Sequence, residues 1–172
     1  MGKLPRVLIV MGSDSDYPAL ESCVKLLNDF QILTEIRVCS AHRSPDVAAE
    51  LSRSAEAAGV DVIIAAAGKA AHLPGVLAAY TPLPVIGLPI KSDALDGLDA
   101  LLSIVQMPPG IPVATVAING ADNAALLAAQ IIAVRDAGLR AKMKEYKTGL
   151  ARKVADKDKA LQEKVRKLYP LA

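Results

Sequence analysis

Several sequence patterns are missing from this chain, and each absence excludes a class of protein. Only two cysteines occur, Cys23 and Cys39, without the paired spacing of a disulfide framework or a zinc site, so both are interpreted as reduced, packed thiols. The start of the chain has no signal-peptide pattern, and no apolar run approaches the roughly 18 residues of a membrane-spanning helix. We therefore expect a cytoplasmic protein with no membrane partner.

Nucleotide and metal motifs are missing as well. The sequence contains neither a GxxxxGK[ST] loop nor a GxGxxG fingerprint, which argues against ATP and dinucleotide binding. Asp14 and Asp16 stand close together but have no supporting histidine or cysteine, so they make a weak set of metal ligands. We expect no cofactor and no metal.

The charge is divided unevenly along the chain. Up to Asp136 there are 9 basic and 14 acidic residues, a net −5, whereas the remainder has 11 basic and 4 acidic residues, a net +7. This basic segment is rich in helix formers after Gly138, and it has Tyr146 and Tyr169 as its only aromatic residues and no nucleic-acid recognition motif. It is interpreted as a solvated helix that packs on a neighbouring acidic subunit, with nucleic-acid binding as the disfavoured alternative.

Apolar runs followed by helical patterns recur five times in the remaining sequence. The predicted strands are residues 7–11, 36–38, 62–66, 85–88 and 113–118. The predicted helices contain residues 20–27, open near Pro45 and near Pro74, and cover residues 98–105 and 123–134. Apolar strands alternating with helices are typical of a parallel sheet that is covered on both faces. We therefore predict one α/β domain over residues 1–172, a flavodoxin-like or Rossmann-like three-layer α/β/α sandwich with a core at about 6–136 and an extra C-terminal helical segment at about 137–172.

The fifth helix predicts an oligomer. From Ala124 to Val134 the only polar residue is Gln130, so the helix has no face suited to water. A second subunit would cover the apolar side of the helix that would otherwise face water. The alternative is that the chain's own basic C-terminal helix covers it.

Three loops that follow predicted strands carry the candidate functional residues. The first, GSDSD at residues 12–16, offers a tight turn, hydroxyl groups and a helix start, which suits phosphate, although Asp16 could simply cap the helix. The second contains Ser40, His42 and Arg43, a hydroxyl, a proton carrier and a phosphate-binding fork. The third is built from small residues around His72, so backbone amides could approach a compact group such as carbon dioxide. For His42 alone, a structural role and catalysis both remain open.

The motifs GSDSD, SAHRSP, AAHLPG, SIVQMPPGIPVATVAI and NAALLAAQI occur in this order over residues 6–136. In order and spacing they resemble the catalytic-subunit family of phosphoribosylaminoimidazole carboxylase. The His42-Arg43 pair and the third loop are similar to its class I form, the 5-(carboxyamino)imidazole ribonucleotide mutases of de novo purine biosynthesis. The class II form carboxylates aminoimidazole ribonucleotide directly with carbon dioxide, and it stays an alternative, as does a noncatalytic phosphate-ligand or flavin-binding module on the same fold.

The resemblance implies a reaction and a set of site residues. The N-carboxylate of the substrate leaves as carbon dioxide, stays in the pocket and adds to C4, after which a base removes the C4 proton; no ATP or metal is required. His42 is the implied acid and base. The implied substrate-binding residues are Ser13, Asp16, Ser40, Arg43, Gly68, Ala70, His72 and Leu73. A homo-octamer in which the C-terminal helix reaches a neighbour is also implied.

One residue departs from the family pattern. The third loop of these proteins commonly has two successive glycines, and the second is Lys69 here. The lysine either faces solvent or a subunit boundary, which is the favoured interpretation, or adds a cation near the substrate carboxylate.

Overall fold

The computed structural model describes residues 4–170, and these divide into two compact units, one up to Ile132 and one from Ala133 onward. The first unit contains one sheet of five parallel strands. The strands are β1 (Arg6–Met11), β2 (Leu33–Val38), β3 (Val62–Gly68), β4 (Val85–Ile90) and β5 (Ala114–Thr115). Its helices are α1 (Tyr17–Asp29), α2 (Pro45–Ala55), α3 (Leu73–Ala78), α4 (Leu98–Val105) and α5 (Ala121–Ala133), with a 3-10 turn at Asp14–Asp16 before α1.

The strand order β2-β1-β3-β4-β5 is that of a flavodoxin-like fold. Because β1 lies between β2 and β3, the chain first runs from β1 to β2 on one side of it and then crosses to β3 on its other side. Right-handed crossovers then place α1 on one face of the sheet and α2, α3 and α4 on the other. The predicted three-layer α/β/α class is confirmed, whereas the single-domain assignment stays a prediction.

The central strands are buried on both faces, which explains their continuous apolar sequences. Leu8 and Val10 of β1 and Ile63 of β3 belong to a core cluster with apolar residues of α2, α3 and α4. Their strand neighbours alternate to the other face and are equally buried. There, Cys23 of α1 is fully buried, and burial together with the nearby Asp122 charge raises the pKa of its thiol to about 12. Cys23 therefore stays a protonated packing residue, as predicted.

The outer strands differ from the prediction. β2 is three residues longer than expected and is half polar, because it lies at the sheet edge and pairs only with β1. β5 was expected over 113–118 but has two residues, Ala114 and Thr115, paired with Ile86 and Gly87. The apolar run around β5 therefore overstates the length of the strand, because an edge position leaves one side without a partner.

The second unit is dominated by α6 (Ala137–Leu168), a helix of 32 residues that begins at the predicted position. Its N-cap is Asp136, whose carboxylate accepts a hydrogen bond of 2.9 Å from the backbone N–H of Leu139. Beyond Met143 nearly all of its side chains are exposed. Within residues 4–170, no helix has the length and apolar character needed to cross a membrane.

Candidate active site

A cavity of about 720 Å³ opens at the carboxyl ends of the strands, beside β1, where the strand order reverses its direction between β2 and β3. Crevices at this point of an open parallel sheet are the usual ligand sites of such folds. Four loops line it: the first (residues 12–16), the second (40–43), the third (67–73) and a fourth (90–93). The structure brings all nine predicted site residues to this cavity, namely Ser13, Asp16, Ser40, His42, Arg43, Gly68, Ala70, His72 and Leu73.

The first loop is held together by its own hydrogen bonds. The Ser13 N–H donates to the Asp16 carboxylate at 3.1 Å, and the Ser15 N–H donates to Ser13 Oγ at 3.3 Å. The Ser15 hydroxyl also donates to Ser13 Oγ, at 2.8 Å. At its base, the Gly12 N–H donates to the carbonyl of Ala66 at 3.1 Å, which ties the loop to β3. These hydrogen bonds within the loop and to β3 fix its shape.

Asp16 does not cap α1, although this was one of the two interpretations of the residue. It precedes α1 but makes no side-chain hydrogen bond to that helix, and instead completes a capping box with Ser13 around the 3-10 turn. Burial raises the pKa of the Asp16 carboxyl; the Ser13 N–H opposes this rise and the Asp14 charge adds to it. The carboxylate holds the loop and also lines the cavity.

The second loop presents Arg43 and His42 to the cavity. The Arg43 side chain donates from Nη2 to the carbonyl of Gly12 at 3.3 Å, so its guanidinium lies beside the first loop. Ser40 accepts the Arg43 N–H at its Oγ, at 3.3 Å, while its own N–H donates to Ser44 Oγ at 3.1 Å. The remaining guanidinium donors of Arg43 are exposed and suited to an oxyanion of a ligand. Cys39, which was considered as a pocket residue, is buried and does not line the cavity.

His42 and His72 form a direct pair, which sequence reasoning did not predict. Nε2 of His42 lies 2.8 Å from Nδ1 of His72, and the two rings meet edge to face at an angle of 84°. One of these nitrogens must carry the proton and the other must accept it, so at most one ring of the bonded pair is an imidazolium. Both rings are exposed and line the cavity, where a ligand can reach them. The pair can therefore hold a proton and pass it on.

The third loop consists mostly of small residues, and the backbone segments around it lie close together. A Cβ atom on Gly68 would lie 3.3 Å from the carbonyl oxygen of Ile90, so β3 and β4 approach closely at the cavity floor. After it, Lys69 has a left-handed backbone with φ of +55°. Two tight turns follow, in which the N–H groups of Ala71 and His72 donate to the carbonyls of Lys69 and Ala70. The close approach of β3 and β4 explains why small residues line this wall of the cavity. Lys69 is an exception, because it carries a long side chain at a left-handed backbone position.

The sequence analysis did not identify the fourth loop as part of the site. Ile90, Lys91, Ser92 and Asp93 follow β4 and line the cavity. The Lys91 ammonium is paired with Asp96 at 3.0 Å, and the Ser92 hydroxyl donates to Asp99 at 3.3 Å. The signal that identified the other loops, polar residues directly after an apolar strand, was also present here. Within the described part of the chain, no three His, Cys, Asp or Glu side chains are grouped as metal ligands.

The chain is similar to known proteins over most of its length. The family model for AIR carboxylase matches residues 6–153. An N5-carboxyaminoimidazole ribonucleotide mutase of Pyrococcus abyssi is 58% identical over 149 residues, which cover 87% of this chain and 86% of the relative. A protein of the same name from Mycobacterium tuberculosis is 52% identical, with 97% of this chain and 96% of the relative covered.

The fold is also similar to solved structures. A crystal structure of PurE from Treponema denticola superposes with a TM-score of 0.82 at 32% identity. The superposition covers 91% of this chain and 98% of that one.

Proposed function

Because the chain belongs to the AIR carboxylase family, we propose that it is an N5-carboxyaminoimidazole ribonucleotide mutase. It converts 5-(carboxyamino)imidazole ribonucleotide to 4-carboxy-5-aminoimidazole ribonucleotide, an isomerisation in de novo purine biosynthesis. The observation that carries the proposal is the bonded His42–His72 pair at the wall of a cavity that also presents Arg43 and the first loop. The relatives carry the mutase name, which favours this reaction over direct carboxylation.

Binding is assigned to the first and second loops. The nucleotide phosphate is a dianion at neutral pH, and the exposed donors of Arg43 beside Ser13 and Ser15 suit its oxygens. Because these groups are already held in place by hydrogen bonds, little ordering is required when the phosphate binds. Asp16 and Ser40 lie next to them and accept hydrogen bonds, so we assign them to the ribose and to loop geometry.

The reaction needs one proton carrier. As the C–N bond of the carbamate breaks, protonated His42 gives its proton to the exocyclic nitrogen, and carbon dioxide is released into the cavity. C4 of the imidazole then forms a bond to carbon dioxide, and neutral His42 removes the C4 proton, which restores the aromatic ring. His42 therefore ends as it began, protonated, and no other reactant is consumed.

His72 supports this cycle through its hydrogen bond to His42. A proton that moves along the 2.8 Å contact can be held on either ring, so the pair keeps a proton available while His42 is neutral. Gly68, Ala70 and Leu73 supply a wall with little polar surface, which suits the neutral carbon dioxide. Retention in the cavity keeps the two fragments together, so recombination is effectively unimolecular.

The experiment is to mix the purified protein with the carbamate nucleotide, without ATP or added metal, and to follow formation of the C4-carboxylated product. We expect conversion that is much faster than with aminoimidazole ribonucleotide plus bicarbonate. Preference for the second pair would assign direct carboxylation. Tight nucleotide binding without turnover in either assay would assign a noncatalytic binding module.

We further propose that the chain forms a homo-oligomer, with an octamer as the expected state. Leu98 and Leu102 are each about half exposed on α4, at a spacing of four residues that places them on one helix face, and Leu95 just before the helix is 60% exposed. The exposed basic surface of α6 complements the acidic composition of residues 1–136. Neither nucleic acid nor membrane is proposed as a partner.

Sedimentation in solution tests the assembly. Wild-type protein is expected at the mass of eight 18.0 kDa chains. Leu102→Lys places a charge in the apolar face and is expected to give smaller species, whereas Asn28→Lys, at an exposed polar position of α1, is the control that retains the wild-type mass. A monomer in the wild type, or equal behaviour of the two variants, would contradict the proposal.

We also propose a cytoplasmic location. Both cysteines are free and buried, which is compatible with a reducing compartment, and the proposed nucleotide substrate is charged and retained inside cells. Cell fractionation with an antibody to the chain tests this location.

A further inference from the structure

Lys69 has a backbone conformation that its side chain disfavours. Four non-glycine residues have a positive φ within the described residues: Gln31, Lys69, Asp96 and Asn119. Asp and Asn adopt this left-handed conformation readily because their short polar side chains can bond locally, but Lys has no such compensation. Gly in place of Lys69 would remove the strain. Strained residues that persist in a folded structure cluster at functional sites.

The surroundings of Lys69 give no reason for a lysine within the protein itself. Its side chain is exposed, it lines the cavity, and its ammonium makes no hydrogen bond or ion pair with any residue between 4 and 170. The other cations of the cavity differ, since Lys91 is paired with Asp96 and Arg43 donates to the carbonyl of Gly12. A cation available for a ligand is therefore present at the strained position.

Lys69 lies on the side of the cavity that carries the histidine pair. Two tight turns connect it to His72, whose ring contacts His42. Arg43 directly follows His42 in the chain, but its guanidinium is hydrogen-bonded to the first loop, where the phosphate is assigned. An anion near Lys69 is therefore a different group of the ligand from the phosphate, and the proposed reaction provides one, the carboxylate that moves from nitrogen to C4.

We propose that Lys69 is a specificity residue, whose ammonium binds the transferred carboxylate in both the substrate and the product. This inference rests on the proposed function. The four-carbon stem of lysine is flexible enough to follow the carboxylate between its two positions, and an ammonium needs no fixed geometry to bind it. Carbon dioxide, the intermediate, is neutral and gives no ion pair. Lys69 therefore favours the two carboxylated nucleotides over the uncarboxylated one.

This assignment predicts a separation of KM from kcat. An interaction that is equally strong in substrate and product, and is lost when carbon dioxide forms, lowers KM without accelerating the chemical step. Lys69→Gln is therefore expected to raise KM about tenfold, the usual effect of losing one charged hydrogen bond, while kcat does not fall.

The decisive measurement is binding of two nucleotides to the full-length protein by calorimetry. The C4-carboxylated product nucleotide and aminoimidazole ribonucleotide differ only by the carboxylate. We expect Lys69→Gln and Lys69→Gly each to weaken the first about tenfold and to leave the second unchanged. Lys69→Gly should also melt at a higher temperature than Lys69→Gln, because glycine relieves the left-handed strain.

Gln31→Gly is the matched control, since Gln31 has a similar φ of +62° but lies outside the cavity. It is expected to leave the binding of both nucleotides unchanged. Equal loss of both nucleotides in the Lys69 variants, or no loss of either, would overturn the role of Lys69 while wild-type turnover keeps the proposed function. Failure of the wild type to bind or convert either nucleotide would overturn both.

Discussion

The first and third loops of the cavity use their polar groups in opposite ways. In the first loop, Ser13, Ser15 and Asp16 bond mainly to one another, so its shape is fixed before a ligand arrives. In the third loop, His72 bonds across the cavity to another loop and Lys69 is exposed with its ammonium free for a ligand. In the proposed function, the constant part of the ligand would therefore meet a loop held by its own hydrogen bonds, whereas the carboxylate that changes position would meet side chains that can follow it.

The largest effect is expected on the reacting side of the cavity. His42→Asn keeps a hydrogen-bonding side chain but removes the proton carrier, so kcat should fall about 10³-fold. The Kd for the product nucleotide should change less than about threefold, because the phosphate-binding groups are untouched. Single-turnover kinetics and calorimetry measure the two quantities. Activity above a tenth of the wild-type value would remove His42 from its catalytic role.

A substitution on the phosphate side of the cavity should change KM rather than kcat. Arg43→Gln removes a charged donor beside the first loop and is expected to raise KM about 30-fold with little change in kcat. Arg37→Gln is the matched control, because Arg37 lies on β2, pairs with Glu35 and is outside the cavity. A large fall in kcat for Arg43→Gln would show that the two sides of the cavity are not separate in function.

A smaller loss is expected when His42 is kept and its partner is removed. His72→Leu deletes the hydrogen bond to His42 and should lower kcat about tenfold, the effect expected from losing one hydrogen bond to a charged partner. An unchanged kcat would show that the hydrogen bond from His72 does not support His42 in the reaction.

The smallest effect is expected on the free energy of unfolding, through the partly buried carboxyl of Asp16 in the first loop. Burial raises the pKa of Asp16 in the folded protein, so folding disfavours the charged form of this carboxyl relative to the unfolded chain. The corresponding stability is present at low pH and is lost as pH rises from 3.8 through the raised value. Asp16→Asn removes this loss. Its free energy of unfolding should therefore improve relative to wild type as pH rises through this range, measured by urea denaturation, and a constant difference would contradict the assignment.

The central architecture could be read from the sequence because the buried strands are unmistakably apolar. β1, β3 and β4 were placed within two residues, and α4 was placed with its observed bounds. Errors fell on β2 and β5, where partial exposure weakens the link between apolar pattern and strand length. The cavity residues followed from a simple geometric fact: loops after parallel strands meet at one edge of the sheet.

The remaining details of the site depend on contacts between distant residues. The hydrogen bond of His42 to His72 spans 30 positions and requires both loops in their folded geometry. The left-handed backbone at Lys69 could be suspected only from its replacement of a usual glycine. Lys69 is exposed, in line with the favoured interpretation that it faces solvent or a subunit boundary, and it also lines the cavity.

The few hydrogen bonds between the loops determine which substitutions should influence one another. Gly12 contacts Ala66 and Arg43, and His42 contacts His72, so these groups form short connected sets. Ser13 and Lys69 belong to different loops and share no hydrogen bond. In double-mutant cycles, the His42 and His72 substitutions should therefore be strongly non-additive, whereas Ser13 and Lys69 substitutions should add. Substitutions in the first and third loops could then be combined without affecting each other, whereas His42 and His72 would have to be changed together.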